Sequence, residues 1–296
     1  MPAPTTAQPL TVPLPDGRQL GLTRYGNPAH PAVIFHHGYA SSGIAVPECT
    51  AELARLGLQI MAPDRPGSGL SDVDENLTLE SFAADVLYAV DALQIPGPLA
   101  VAGWSGGGVH ALALAALYPE RVATVQLLST ALPFGDEEAY AELHLRWKAA
   151  RFVNDYLPIL GKVALVELSA QWQQKPDKMI DSLLGLLGPT EQAVKDQPAH
   201  RALLRDAAVH GFANQGQGVY FDGRALCQPP AFQLEAIQAS TTIWHGTEDS
   251  VWPPDNLDFL AENIPEARLQ LLPGEGHMLY LNHWEAILQR VRAEMK

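Results

Sequence analysis

The residues with the plainest chemical meaning are five in a row, Gly103-Trp104-Ser105-Gly106-Gly107. A serine hydroxyl is a weak nucleophile at neutral pH. It becomes useful when the backbone exposes it and a neighbouring base takes its proton. Glycines flanking Ser105 remove Cβ atoms that would block a tight turn. The segment also leaves a buried-strand pattern at 99–102 and enters an Ala/Leu-rich helical pattern at 109–118. A serine on such a strand-to-helix turn stands clear of the sheet with a helix N-terminus behind it. The competing reading is a Gly-rich turn that packs a helix or holds a phosphate. The segment lacks the lysine of a phosphate-binding loop and fits G-x-G-x-x-G poorly, so the nucleophile reading is preferred.

A serine nucleophile needs a base, and the chain offers ten histidines. His277 closes Pro273-Gly274-Glu275-Gly276-His277, between a strand pattern at 268–272 and a helix pattern at 284–294. Loops at the carboxyl ends of strands are where α/β sheets gather their site residues. His110 falls on the helix after the serine turn, His245 ends a strand, and His283 opens a helix. His144, His200 and His210 lie in the helical middle of the chain, and His36 and His37 read as turn packing. The imidazole in turn needs an acceptor on its other nitrogen. Asp249, just beyond the strand pattern at 241–244, has a short side chain that is easily fixed; Glu248 and Asp255 are alternates. An aspartate there could instead cap the following turn. The chain order Ser105, Asp249, His277 is that of a nucleophile–acid–base triad on a parallel sheet. Acyl transfer also requires donors for a developing oxyanion. The turn His36-His37-Gly38-Tyr39 can aim the Tyr39 N–H into the site, and the Gly106 N–H is a second donor. Trp104 and Tyr39 are expected at the edge of the substrate pocket.

These residues must be positioned by 296 residues, 47% of them hydrophobic, enough for a large core. A hairpin is expected at 10–14 and 19–25, turning at Pro15-Asp16-Gly17. Strand patterns follow at 32–35, 58–62, 99–102, 122–128, 241–244 and 268–272. Helical patterns at 47–56, 78–93, 109–118, 256–263 and 284–294 alternate with them, and Thr78 with Ser81 suits a helix start. Such alternation implies an α/β fold with a mostly parallel sheet covered on both faces. Residues 132–238 break the rhythm, with helices expected at 137–157, 163–173, 177–187 and 199–214 and a loop at 214–223. The reading is a core of 1–131 and 239–296 carrying a helical cap at 132–238. Trp147, Phe152, Trp172, Met179, Phe212 and Phe232 are cap aromatics and a methionine that pack the cap or its pocket.

The formal net charge of −14 disfavours nucleic acid and anionic membranes as partners. Cys49 and Cys227 are far apart and read as two reduced thiols. Residues 1–14 read as a short Pro/Thr-rich tail rather than a signal peptide, and no apolar stretch reaches membrane-spanning length, so a cytoplasmic location is expected. Nothing in the sequence signals an oligomeric state.

Together these segments resemble the α/β-hydrolase superfamily over nearly the whole chain. The matching elements are His37-Gly38-Tyr39, Asp64-Arg65-Pro66-Gly67-Ser68-Gly69-Leu70-Ser71-Asp72, the turn at 103–107, the acid loop at 246–253 and Gly274-Glu275-Gly276-His277. The resemblance implies an eight-stranded, mostly parallel sheet, a lid over the pocket, and no metal or organic cofactor. The expected activity of the Ser105, Asp249 and His277 set is that of a serine hydrolase acting on an ester or related acyl bond, and the aromatics in and near the cap point to a small, apolar substrate. Ser105 departs from dehalogenases and epoxide hydrolases, which place Asp there, and Trp104 precedes the serine where proline iminopeptidases carry Trp after it. Some branches place the acid after the strand before the cap, where Asp136 could serve. Alternatives on the same residues are a peptidase or amidase using Glu138 or Glu142, a perhydrolase, and a ligand receptor without turnover.

Overall fold

A computed structural model of the chain describes residues 7–295. Residues 1–6, part of the expected tail, lie outside the described residues. The strands are β1 (Gln8–Pro13), β2 (Gln19–Gly26), β3 (Ala32–His36), β4 (Gln59–Pro63), β5 (Leu99–Trp104), β6 (Val122–Leu128), β7 (Ser240–Gly246) and β8 (Arg268–Leu272). They form one eight-stranded sheet in the order β1-β2-β4-β3-β5-β6-β7-β8. The β1–β2 hairpin and the β2–β4 pair are antiparallel, and every pair from β4 to β8 is parallel.

Every residue of β3, β4 and β5 is buried, because both faces of the sheet are covered. The period of two sorts their side chains. Ala32, Ile34, Leu99 and Val101 enter one core cluster, while Val33, Phe35, Ala100 and Ala102 enter the other. The helices α1 (Thr50–Leu56), α2 (Leu79–Ala92) and α3 (Gly106–Leu117) connect the first strands. Thr78 caps α2 as its sequence suggests: Thr78 Oγ1 accepts from the Ser81 N–H at 3.0 Å, and Ser81 Oγ accepts from the Thr78 N–H at 2.9 Å. Between β6 and β7 lie α4 (Glu137–Glu142), α5 (Leu145–Tyr156), α6 (Pro158–Gln174), α7 (Pro176–Leu187), α8 (Pro189–Lys195), α9 (Pro198–Gly211) and α10 (Gln217–Cys227). Four of these begin with proline, whose fixed φ and missing N–H suit a first helical turn. The helices α11 (Leu257–Asn263) and α12 (Tyr280–Glu294) complete the chain.

Two expectations are corrected here. The helix expected over 137–157 is two helices, parted where Leu143 and His144 take extended backbone. The loop expected at 214–223 is mostly α10. Its glycines suggested a loop, but Gly218 serves contact: a Cβ there would sit 2.4 Å from the Gly67 carbonyl carbon. A bare backbone lets α10 seat directly on the loop after β4.

The strand order also fixes where a site can form. The chain winds outward from β3 to β4, then returns across β3 to β5. The carboxyl ends of β3 and β5 therefore lie side by side at a switch point, with His36 paired in register to Gly103.

Candidate active site

Ser105 occupies that switch point with φ +54° and ψ −124°, a conformation costly for a residue with a Cβ. The surroundings enforce it. The Ser105 N–H donates to Leu128 O at 3.0 Å, and Ser105 O accepts from the Gly108 and Ala131 N–H groups at 2.9 and 3.0 Å. A Cβ on Gly107 would lie 2.1 Å from His36 O, so only glycine lets α3 leave the turn this close to β3. The Ser105 hydroxyl makes no capping bond to α3 and lines a cavity instead.

His277 is buried, and its Nδ1 lies 3.0 Å from Asp249 Oδ2. The other carboxylate oxygen, Asp249 Oδ1, accepts from the Val251 and Trp252 N–H groups at 2.8 and 3.0 Å. Asp249 thus both caps its turn and faces the imidazole. Burial would push its carboxyl up, but the His277 ring, the Trp252 N–H and the His245 ring outweigh that and hold it below the ordinary aspartate value. An ionised carboxylate can only accept, so Nδ1 donates to it and Nε2 is the ring nitrogen left to face another partner. The His277 carbonyl accepts from Trp104 Nε1 at 3.0 Å, which ties the histidine loop to the residue preceding Ser105. Among the described residues no hydrogen bond joins the Ser105 hydroxyl to the His277 ring.

The other candidates separate from this group, except that His245 Nε2 lies 3.8 Å from Asp249 Oδ2. Glu248 and Asp255 are exposed. Asp136 caps α4, its Oδ1 accepting from the Ala139 N–H at 2.9 Å. His245 is fully buried and donates from Nε2 to Trp252 O at 2.8 Å. His110 Nε2 bonds Asp222 Oδ1 at 2.8 Å, and His283 Nε2 pairs with Glu275 Oε1 at 3.0 Å. Cys49 and Cys227 are free and buried, and burial pushes both thiols up to about 12.

The Tyr39 N–H has no hydrogen-bond partner among the described residues. A Cβ on Gly106 would lie 3.4 Å from that nitrogen, so the two expected donors are neighbours. Gly106 opens α3, where amides lack intrahelical partners. Tyr39 also lines the Ser105 cavity, but Trp104 does not. Trp104, expected at the pocket edge, is only 6% exposed and packs beneath Gly38, against His277 and Tyr280. Strand alternation turns it away from the cavity.

The cavity measures about 360 Å³ and is largely apolar, walled by Phe134, Trp147, Val153, Leu165, Leu226 and Trp252. Of the aromatics and methionine expected in the cap, only Trp147 lines it. Phe152 is 55% exposed, Trp172 and Phe212 stack on each other at 5.9 Å, and Phe232 is buried in the core. Trp252 was not foreseen; it stacks on Trp147 at 4.6 Å. Glu138 and Glu142 are exposed and do not line it. Among the described residues no group of three or more His, Cys, Asp or Glu could hold a metal ion, and no helix is long and apolar enough to cross a membrane.

Sequence reading also missed Glu191 and the pair Arg65–Asp222. Glu191, on α8, accepts the His277 backbone N–H with Oε1, while Oε2 has no partner. Burial pushes its carboxyl up, against that hydrogen bond.

The sheet, the strained serine turn and the carboxylate–histidine pair define an α/β hydrolase. The chain belongs to that family: residues 31–283 match the family described as alpha/beta hydrolase fold. Among its relatives is a pimeloyl-[acyl-carrier protein] methyl ester esterase of Chromobacterium violaceum, 26% identical over 86% of this chain and 89% of that protein. Another is the polyketide synthase ThaQ of Burkholderia thailandensis, 27% identical over 95% of this chain. The chain spans only 12% of that longer protein. Similar solved structures include an esterase from Thermogutta terrifontis, with TM-score 0.70, 21% identity and 97% of each chain covered. An enol-lactonase from Burkholderia xenovorans also has TM-score 0.70 and 21% identity, over 95% of this chain and 98% of that one.

Proposed function

We propose that this chain hydrolyses an ester or related acyl bond of a small apolar substrate, with Ser105 as nucleophile, His277 as base and Asp249 as the acid that orients it. The observation that carries the reading is the Asp249–His277 hydrogen bond in a loop fastened through Trp104 to the serine turn. Ser105 Oγ attacks the acyl carbon while His277 Nε2 takes its proton. The carbonyl oxygen gains charge opposite the Tyr39 and Gly106 N–H groups. His277 then passes the proton to the leaving alcohol, giving an acyl-serine. Water, deprotonated by the same nitrogen, releases the acid and restores the enzyme. Hydrogen bonds of this kind are commonly long without substrate and shorten in the complex. The apolar cavity beside Ser105 suits an acyl chain, and the named activity of the methyl ester esterase relative supports an ester substrate. Residues 132–238 act as the cap: α5, α6 and α10 supply most of the cavity wall over the core of 1–131 and 239–296.

Ser105→Ala tests the reading. It should abolish p-nitrophenyl ester turnover and fluorophosphonate labelling, with an unchanged circular dichroism spectrum. Undiminished labelling would remove Ser105 from the nucleophile's role.

A further inference from the structure

Arg65 is among the most deeply buried side chains in the protein, 1% exposed, in the loop after β4. Its guanidinium bridges three elements. Nε donates to Asp222 Oδ2 on α10 at 2.6 Å, and Nη2 donates to the carbonyl oxygen of Gly38 and lies 2.8 Å from His37 Nδ1. Asp222 is held from the opposite side by His110, one turn into α3 from Ser105. A buried arginine on a main-chain carbonyl is an expensive arrangement that core packing does not require. The carbonyl it holds belongs to the Gly38–Tyr39 peptide, whose other end is the unpartnered Tyr39 N–H beside Gly106.

An amide is a rigid plane with its C=O and N–H pointing in opposite directions. Fixing the oxygen therefore fixes where the hydrogen points. A cation on the oxygen also withdraws electron density through the amide and strengthens the N–H as a donor. We propose that Arg65 is a positioning residue for acyl transfer, which aims and polarises the Tyr39 N–H toward the oxyanion and is itself anchored by Asp222 from α10. This rests on the serine-hydrolase reading above. It adds that the oxyanion donor is controlled from behind, by a charge pair spanning the core and the inserted helices.

Three variants test it: Arg65→Lys, Arg65→Gly, and the double change Arg65→Met with Asp222→Leu, which removes both charges and leaves no buried ion unpaired. In every variant with a wild-type circular dichroism spectrum, kcat for p-nitrophenyl acetate should fall about 10- to 100-fold while KM stays within about threefold, since removing one oxyanion donor outright costs about 10²–10³. Affinity for a boronic acid, whose tetrahedral adduct uses the same donors, should fall by the same factor as kcat. Millimolar guanidine should restore part of kcat in Arg65→Gly. Folded variants with kcat within threefold of wild type would overturn the proposal. Failure of all three to fold would also overturn it, by making Arg65 a purely structural residue. Failure of the underlying reading looks different: wild-type protein would then resist fluorophosphonate labelling, whatever stands at position 65.

Discussion

Asp249→Asn removes one charge and almost no volume, and the structure says which way the new amide must turn. Asp249 Oδ1 accepts from two backbone donors, the Val251 and Trp252 N–H groups. An NH₂ group cannot accept, so the amide oxygen stays there and the nitrogen faces His277 Nδ1. His277 must then accept at Nδ1 and carry its proton on Nε2, the wrong tautomer for a base. The charge is lost as well. An imidazolium about 4 Å from a carboxylate gains about 4 kcal/mol at an effective dielectric of about 20. This gain appears only as the proton is taken up, so it belongs to the transition state. At 1.36 kcal/mol per decade, kcat should fall about a thousand-fold, with KM within about threefold. The assay is steady-state hydrolysis of p-nitrophenyl acetate, with thermal unfolding as the control for integrity. Asp136→Asn is the paired control: Asp136 caps α4, and asparagine caps as well as aspartate, so kcat should hold within about twofold. A loss below tenfold in Asp249→Asn, or a larger loss in Asp136→Asn, would refute this assignment of the acid.

Two further outcomes follow from the cavity and from the buried charge pair. Gly161 lines the cavity, and a Cβ there meets only Val153 at 3.7 Å, so Gly161→Leu should fill acyl space without strain. Activity on p-nitrophenyl acetate should persist while kcat/KM on the octanoate falls about tenfold or more; equal losses on both would show that acyl chains bind elsewhere. Burial would push the Asp222 carboxyl up, but Arg65 and His110 overcome that and hold it below its ordinary value. A depressed folded-state pKa stabilises the fold above the unfolded aspartate value of about 3.9, and that contribution fades as pH falls through the folded value. Asp222→Asn should therefore cost about 3–5 kcal/mol at pH 7, and in thermal unfolding its gap to wild type should close below about pH 4. A gap independent of pH would mean that the ionised carboxylate of Asp222 is not the source of its stabilisation.

What could be read from the sequence was what local pattern controls. Ser105, Asp249 and His277 each stand a few residues beyond an apolar run. A parallel sheet puts all such positions at one edge, so three short motifs were enough to propose a common site. The orientation of Trp104 was not legible, because a residue ending a buried strand can face either layer. The glycines near α10 misled for a related reason. Gly218 is needed by its neighbour Gly67, 151 positions away, and nothing in its own segment says so. The pairing of Arg65 with Asp222 spans 157 residues, and that of His277 with Glu191 spans 86.

These long-range contacts change how the segment between β6 and β7 is understood. Asp222 on α10 neutralises the arginine behind the Gly38–Tyr39 peptide, and Glu191 on α8 accepts the His277 backbone N–H. Without these helices, Arg65 would be a buried cation with no counter-charge, and the histidine loop would have a buried donor with no acceptor. Each is a defect that costs more than an ordinary surface contact returns. On the proposed reading, the inserted helices thus help hold the two halves of the site in place, α10 behind the Gly38–Tyr39 peptide and α8 behind His277, and their wall around the cavity is a second role built on the first.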